Sequence, residues 1–78
     1  MVKPTRITNT IRATREAAGM TQAEVARHIG VTRQTLIAIE QGKYSPSLEL
    51  AFQLSRLFGV AIDDLFQYPT DAPDGATR

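Results

Sequence analysis

The chain has 78 residues, a net charge of +1, no cysteine and one histidine. A chain this short forms one domain close to the lower size limit for an independent hydrophobic core. Without cysteine there is no disulfide framework, and a lone histidine offers no zinc site, so we expect neither a metal nor another cofactor. Small domains without such supports are typically stabilised by a second subunit, and a homodimer is therefore expected.

The charges are divided unevenly between the two halves of the chain. Residues 1–43 contain seven basic and three acidic side chains, whereas residues 44–78 contain two basic and five acidic ones. A basic half joined to an acidic half suits a protein with one surface that faces an anion. Chance scatter of surface charge explains the distribution equally well, so the partner has to be inferred from motifs.

Glycine and proline divide the middle of the chain into short segments, each with the apolar spacing of an amphipathic helix. The first helix is predicted over residues 9–18 and ends at Gly19. The second begins at Thr21 in the sequence TQAE, a capping box in which Glu24 accepts a hydrogen bond from the amide of Thr21. It ends at Gly30, because glycine enters the left-handed conformation at little cost.

The remaining helices are delimited in the same way by glycine and proline. The third is predicted over residues 32–41 and is closed by Gly42. The fourth begins in the sequence SPSLE, with Ser45 or Ser47 as its cap, and ends at Gly59. Both serines have the short hydroxyl side chain that a helix start favours, so the spacing alone leaves the choice between them open.

The ends of the chain carry weaker signals. A fifth, short helix is predicted over about residues 62–66, with two aspartates at its positive end. The predicted organisation is an N-terminal arm or short strand over residues 1–7, a helical domain over residues 8–67, and a flexible C-terminal tail over residues 68–78. The fold class is therefore all-α, with five short helices and an option of short terminal β-strands.

The second and third helices, over about residues 22–41, form a helix-turn-helix. Gly30 turns the chain, Val31 points into the core, and Thr32 starts the next helix as its N-cap. Ala26 lies where the two helices approach most closely, so a larger side chain there would separate them. The residues that must seal the corner are all apolar: Val25, Ile29, Val31, Leu36 and Ile39.

About three-quarters of the chain, from about residue 9 to residue 66, resembles the Cro/CI-type (XRE family) helix-turn-helix regulators of transcription. The resemblance is carried by the sequences MTQAEVA, HIGVT, IEQGK, SPSLE and GVAIDDLF. It implies a lambda-repressor-like DNA-binding domain in which an ion pair between Arg15 and Glu40 links the first helix to the third. Thr14 is a departure, since the family more often has leucine at that position.

The first turn of the third helix carries the side chains that direct reading of bases requires. Arg33 has two donors for guanine O6 and N7, and Gln34 can pair with adenine N6 and N7. Thr35 can bond a base or a phosphate, and Ala38 is small enough to touch a thymine methyl group. The alternative interpretation of these four residues is an ordinary solvated helix face.

Further residues around this helix are candidates for contacts to phosphates or to the edge of the site. One of them, Thr32, follows from its place at the start of the third helix, and the other four are implied by the family resemblance. They are Thr21, Gln22, Thr32, Lys43 and Tyr44. Thr32 is also a helix cap, and packing in the core is an equally good interpretation of Tyr44. Arg6 and Arg12 are weaker candidates, because their orientation depends on the path of the N-terminus.

Together these inferences predict a sequence-specific transcriptional regulator, in the simplest case a repressor. A homodimer would bind a pseudo-palindromic operator in double-stranded DNA, with helix 32–41 in the major groove. The predicted dimer interface comprises Phe58, Val60, Ile62, Leu65, Phe66 and Tyr68. We also predict an N-terminal strand around Val2 to Ile7 that pairs with Gln67 and Tyr68 and extends this surface.

The alternative function is an antitoxin-like or adaptor protein whose apolar C-terminal surface binds a different, unidentified protein. An enzyme is not expected, because no nucleophile–base arrangement and no glycine loop for phosphate is present. Asp63 and Asp64 are explained by the dipole of the fifth helix rather than by a metal. With no signal-peptide pattern and no apolar run of about 20 residues, we expect a cytoplasmic, nucleoid-associated protein without membrane contact.

Overall fold

The computed structural model describes residues 5–43 and 45–69. In this part of the chain, five helices are flanked by two short strands, as the fold-class prediction stated. The elements are β1 (Thr8–Asn9), α1 (Ile11–Ala17), α2 (Gln22–Ile29), α3 (Arg33–Glu40), α4 (Leu48–Phe58), α5 (Ile62–Leu65) and β2 (Phe66–Gln67). No helix among these residues has the length and apolar character needed to cross a bilayer. Of the tail predicted over residues 68–78, residues 70–78 lie outside the described residues.

Three of the helices begin at a hydroxyl residue that caps the first turn. Thr21, Thr32 and Ser47 each accept a hydrogen bond from the N–H three residues further on, so Ser47 rather than Ser45 is the cap of α4. Glu24 completes the predicted capping box by accepting the Thr21 N–H at 2.8 Å. That hydrogen bond lowers the pKa of the Glu24 carboxyl. Its contribution to stability is therefore present at neutral pH and is lost as the pH falls through this lowered pKa.

The inner faces of the helices meet in one hydrophobic core. Ala26 is only 3% exposed, which agrees with a close approach of α2 and α3 at this position. Val31, in the turn, is half-buried and packs against the core. The other four residues that were predicted to seal the corner between α2 and α3 are buried. The core consists of Ile11, Val25, Ala26, Ile29, Leu36, Ile39, Leu54 and Leu65.

The N-terminal strand lies further along the chain than predicted. Thr8 pairs with Gln67 and Asn9 with Phe66 in an antiparallel ladder within one chain. Residues 5–7 are not in a strand, Tyr68 follows the end of β2, and residues 1–4 lie outside the described part. The prediction of a strand at residues 2–7 paired with residues 67 and 68 is therefore wrong in position.

Hydrogen bonds next to the ladder explain this register. The Thr10 N–H donates to the Leu65 carbonyl at 2.9 Å, and the Thr10 hydroxyl donates to the Asp64 carbonyl at 2.9 Å. These bonds tie the start of α1 to the end of α5. The two residues before Thr10 are consequently the ones that lie beside β2.

The predicted dimer interface also needs a correction at Leu65. Its side chain is 0% exposed in the core of its own chain, so the prediction that it contacts a partner is wrong. The physical reason is that α5 is a single turn whose apolar side packs inward. Of the other predicted interface residues, Tyr68 is exposed, whereas four are half-buried: Phe58, Val60, Ile62 and Phe66.

A buried ion pair joins α1 to the end of α3, as the family resemblance implied. The Arg15 Nε lies 2.8 Å from the Glu40 Oε2, and the two side chains are only 9% and 5% exposed. Arg15 also donates through Nη1 to the Met20 carbonyl at 3.1 Å. Glu40 accepts a further bond from the Gln22 Nε2 at 3.2 Å, so the charges taken out of water retain several hydrogen-bonding partners.

Gly30 offers a test of the turn between α2 and α3. Its φ is +75°, and a Cβ added there would meet nothing within 4 Å, so only backbone strain opposes a side chain. We expect Gly30→Ala to lower the free energy of unfolding by about 1 to 2 kcal/mol, and Gly30→Asn to cost less, because asparagine tolerates the left-handed region. Urea denaturation at neutral pH measures both. An equal or larger loss for Gly30→Asn would contradict a conformational origin.

The buried ion pair predicts that two arginine substitutions differ strongly in their effect on the free energy of unfolding. Arg15→Met leaves the buried Glu40 carboxylate without its countercharge and should cost about 3 to 5 kcal/mol of unfolding free energy. Arg12→Met is the matched control, because it removes an ion pair to Glu16 whose side chains are 75% and 56% exposed. We expect the control to be nearly neutral.

A double variant keeps this test informative if Arg15→Met does not fold. Adding Glu40→Met removes the unpaired charge and should recover part of the loss. Thermal unfolding followed by circular dichroism compares the three proteins. Similar melting temperatures for Arg12→Met and Arg15→Met would contradict the assigned role of the buried pair.

Candidate nucleic-acid interface

The first turn of α3 presents polar side chains while the rest of the helix is held in the core. Leu36 and Ile39 are 0% and 1% exposed, which fixes the inner face of this eight-residue helix. Gln34 lies on the opposite side of the helix and Arg33 at the edge of the inner face, and both are exposed. Ala38, one turn further on, is half-buried. The residues predicted to read bases therefore include two long, accessible side chains at the start of the helix.

Thr32 and Thr35 form a hydrogen-bonded pair beside these side chains. The Thr32 Oγ1 accepts the Thr35 N–H at 3.1 Å, and the two hydroxyl oxygens lie 3.0 Å apart. One hydroxyl proton is used within the pair, so only one remains to donate to an external acceptor. The pair consequently offers fewer contacts than two separate threonines would.

The start of α2 is tied to α3 through Gln22. Its Nε2 donates to the Glu40 Oε1, which uses one of the two amide hydrogens of the side chain. The neighbouring Thr21 donates its N–H to Glu24 within the capping box, so its hydroxyl proton is the donor left for a ligand. Both residues line, together with Arg33, one groove bounded by α1, α2 and α3.

The other predicted contact residues lie apart from this groove or are held elsewhere. Lys43 is exposed, and its N–H donates to the Ala38 carbonyl at 3.0 Å, which anchors the loop after α3. Tyr44 lies outside the described residues. Arg12 borders the groove but bonds Glu16, with its Nε 3.2 Å from the carboxylate. The Arg6 guanidinium carbon lies 5.6 Å from the centre of the Tyr68 ring, a cation–π contact.

One residue that positions α3 was missed by the sequence analysis. The Asn9 Nδ2 donates to the Ile39 carbonyl at 2.8 Å, and its Oδ1 accepts the Ile11 N–H at 3.1 Å. The carboxamide therefore adds a side-chain donor to a carbonyl in the last turn of α3 that also accepts the Gly42 N–H at 3.0 Å. Asparagine near a helix start was visible in the sequence, but its contact to a residue 30 positions away has no spacing signal.

Comparison with known proteins gives matches over most of the chain. The helix-turn-helix family model matches residues 11–65. An uncharacterized HTH-type transcriptional regulator of Methanocaldococcus jannaschii is 49% identical over 63 residues, which is 81% of this chain and 96% of that protein. The cryptic phage CTXphi transcriptional repressor RstR of Vibrio cholerae is 42% identical over 55 residues, covering 70% of this chain and 50% of that repressor.

The fold has a counterpart among solved structures. The crystal structure of a transcriptional regulator from Listeria innocua aligns with a TM-score of 0.66 at 18% identity, over 86% of this chain and 66% of that one. The family match spans all five helices of the described chain. The resemblance inferred from the sequence is thereby confirmed, and this family comprises regulators rather than enzymes. The chain belongs to the Cro/CI-type (XRE) helix-turn-helix family of DNA-binding transcriptional regulators.

Proposed function

We propose that the protein represses transcription by binding, as a homodimer, a pseudo-palindromic operator with α3 of each copy in the major groove. The observation that carries this proposal is the first turn of α3, where Arg33 and Gln34 are exposed while Leu36 and Ile39 are locked in the core. A helix held in this way presents its N-terminal turn to base edges without having to reorganise. The similarity to a protein named as a phage repressor supports repression.

Base reading is assigned to the outer side of α3. Arg33 forks two donors onto guanine, and Gln34 pairs in a bidentate manner with adenine. Because the Thr32 hydroxyl donates to the Thr35 Oγ1, the one remaining hydroxyl proton of this pair belongs to Thr35, which directs it to a base or to a phosphate. Ala38 lies against a thymine methyl group, because its small side chain lets α3 come close to the floor of the major groove.

Phosphate contacts are assigned to both flanks of the helix. On one side, Gln22 offers its second amide hydrogen while the first stays on Glu40, and Thr21 offers its hydroxyl. On the other side, Lys43 and Tyr44 are assigned to contacts with the DNA phosphates. These contacts carry no sequence information, but they fix the position of the domain on the duplex.

A single domain of this size reads only a few base pairs, which is too little for tight specific binding at physiological salt. Two copies related by a two-fold axis read half-sites about 34 Å apart, one turn of the double helix. When such an operator overlaps a promoter, the bound dimer excludes RNA polymerase. Regulation then follows from the concentration of the protein or from competition for its site.

Two substitutions distinguish base reading from phosphate binding. Arg33→Ala should cost about 1 to 3 kcal/mol of binding free energy and relax the preference at one base position. Lys43→Ala should weaken all sequences alike and lower the slope of log affinity against log salt by about one. Fluorescence anisotropy with an operator selected from random DNA, and with single-base variants of it, measures both. A uniform effect of Arg33→Ala on every sequence would overturn its assignment as a base reader.

The stoichiometry on DNA tests the homodimer. At saturation, we expect two chains on a duplex with both half-sites and much weaker binding to a duplex with one half-site scrambled, because each copy then loses its partner's contacts. Native mass spectrometry of the complexes counts the chains. One chain per intact operator would contradict the proposed dimer, even if the affinity were high.

A further inference from the structure

The outer face of α4 exposes two large apolar side chains. Leu48 is 72% exposed and Phe52 is 52% exposed. They are four residues apart and therefore lie on neighbouring turns of the same side of the helix. Ala51 and Leu54 of the same helix are buried, so the exposed pair faces away from the core. The other exposed large apolar side chain in the described part of the chain, Tyr68, lies beneath the Arg6 guanidinium.

Two opposite charges flank Phe52 on this face. Glu49 precedes it by three residues and Arg56 follows it by four, which puts all three on one line along the helix. Within residues 5–43 and 45–69, no hydrogen bond or ion pair joins the side chain of Glu49 or Arg56 to another residue. They do not meet each other either, because seven residues of helix separate them by about 10 Å.

We propose that a second copy of the chain docks on this face, with the two α4 helices antiparallel about a two-fold axis near Phe52. The inference rests on the proposed homodimer and names its contact surface. A two-fold axis requires that residue i meets residue j and that j meets i. Because Glu49 and Arg56 are nearly equidistant from Phe52, each lies opposite the other in the second copy. The face is complementary to itself, which a surface for an unlike partner does not need to be.

The surface predicted from the sequence has less to offer. Phe58, Val60 and Phe66 pack against the core of their own chain and are half-buried. Each would bring only part of its side chain to a partner, whereas Leu48 and Phe52 have most of theirs available. The gain from burying apolar area scales with the area removed from water. Tyr68 is exposed as well, but its ring is in contact with the Arg6 guanidinium. Two neighbouring exposed apolar side chains therefore occur together on α4 and not on the surface predicted from the sequence.

The area of the outer face of α4 limits the affinity with which two copies can associate. An 11-residue helix is about 16 Å long, so its outer face alone falls short of the roughly 800 Å² per partner of a standard stable interface. We expect self-association in the micromolar range, with the dimer completed on an operator that holds both copies close together.

A charge exchange tests the proposal without DNA. Glu49→Arg leaves two basic groups on the line and Arg56→Glu leaves two acidic groups, so each variant alone should self-associate at least tenfold more weakly than the wild type. An equimolar mixture of the two variants restores both opposite-charge pairs and should associate as tightly as the wild type. Sedimentation velocity measures association, and circular dichroism verifies that each variant is folded. A mixture that associates no better than its separate components would overturn the proposal.

A second pair of variants compares the two aromatic residues that are exposed in the described part of the chain. Phe52→Ser should weaken self-association at least tenfold, whereas Tyr68→Ser, the matched control, should leave it unchanged. The opposite pattern would overturn the α4 contact in favour of the C-terminal segment. Wild-type protein that binds its operator as a dimer while no α4 variant changes association would reject this surface and leave the proposed function standing. A single chain on the operator would instead count against the proposed function.

Discussion

The pairing of Arg15 with Glu40 is the interaction on which the rest of this structure depends. Helix α3 has eight residues and is too short to be stable alone in water. Its orientation is set by the burial of its inner face, by this ion pair at its last residue, and by Asn9 beside it. The Met20 carbonyl and the Gln22 amide compensate for the removal of the two charges from water. The exposed first turn of α3 is therefore positioned by contacts made elsewhere on the same helix.

Those parts of the fold that depend on local chemistry were predictable from the sequence. The capping box at Thr21, the N-cap at Thr32 and the left-handed glycine after α2 each require particular residue types at fixed spacing. The register of the strands and the burial of Leu65 depend instead on contacts between the two ends of the chain. An apolar residue at position 65 looks the same in sequence whether it faces its own core or a partner, so only the packing of α5 decides.

In the candidate site, too, some features were predictable from local sequence and others depended on contacts between neighbouring side chains. Exposure of Arg33 and Gln34 followed from the apolar period of α3, because Gln34 lies opposite Leu36 and Ile39 and Arg33 lies at the edge of their face. The number of hydrogen-bond donors that remain available to a ligand could not be predicted from this apolar period. Gln22 is partly committed to Glu40, and Thr32 is committed to Thr35. Counting polar residue types overestimates what a surface can offer, since neighbouring side chains satisfy one another first.

The ladder of β1 and β2 links the two ends of the described chain to α3. Asn9 belongs to this ladder through its backbone and holds the last turn of α3 through its side chain. A force or a rearrangement applied near Phe66 thus reaches the Ile39 carbonyl through a single residue. A partner that displaced β2 would therefore loosen, through Asn9, a contact that helps to orient α3, although the two elements are remote in sequence.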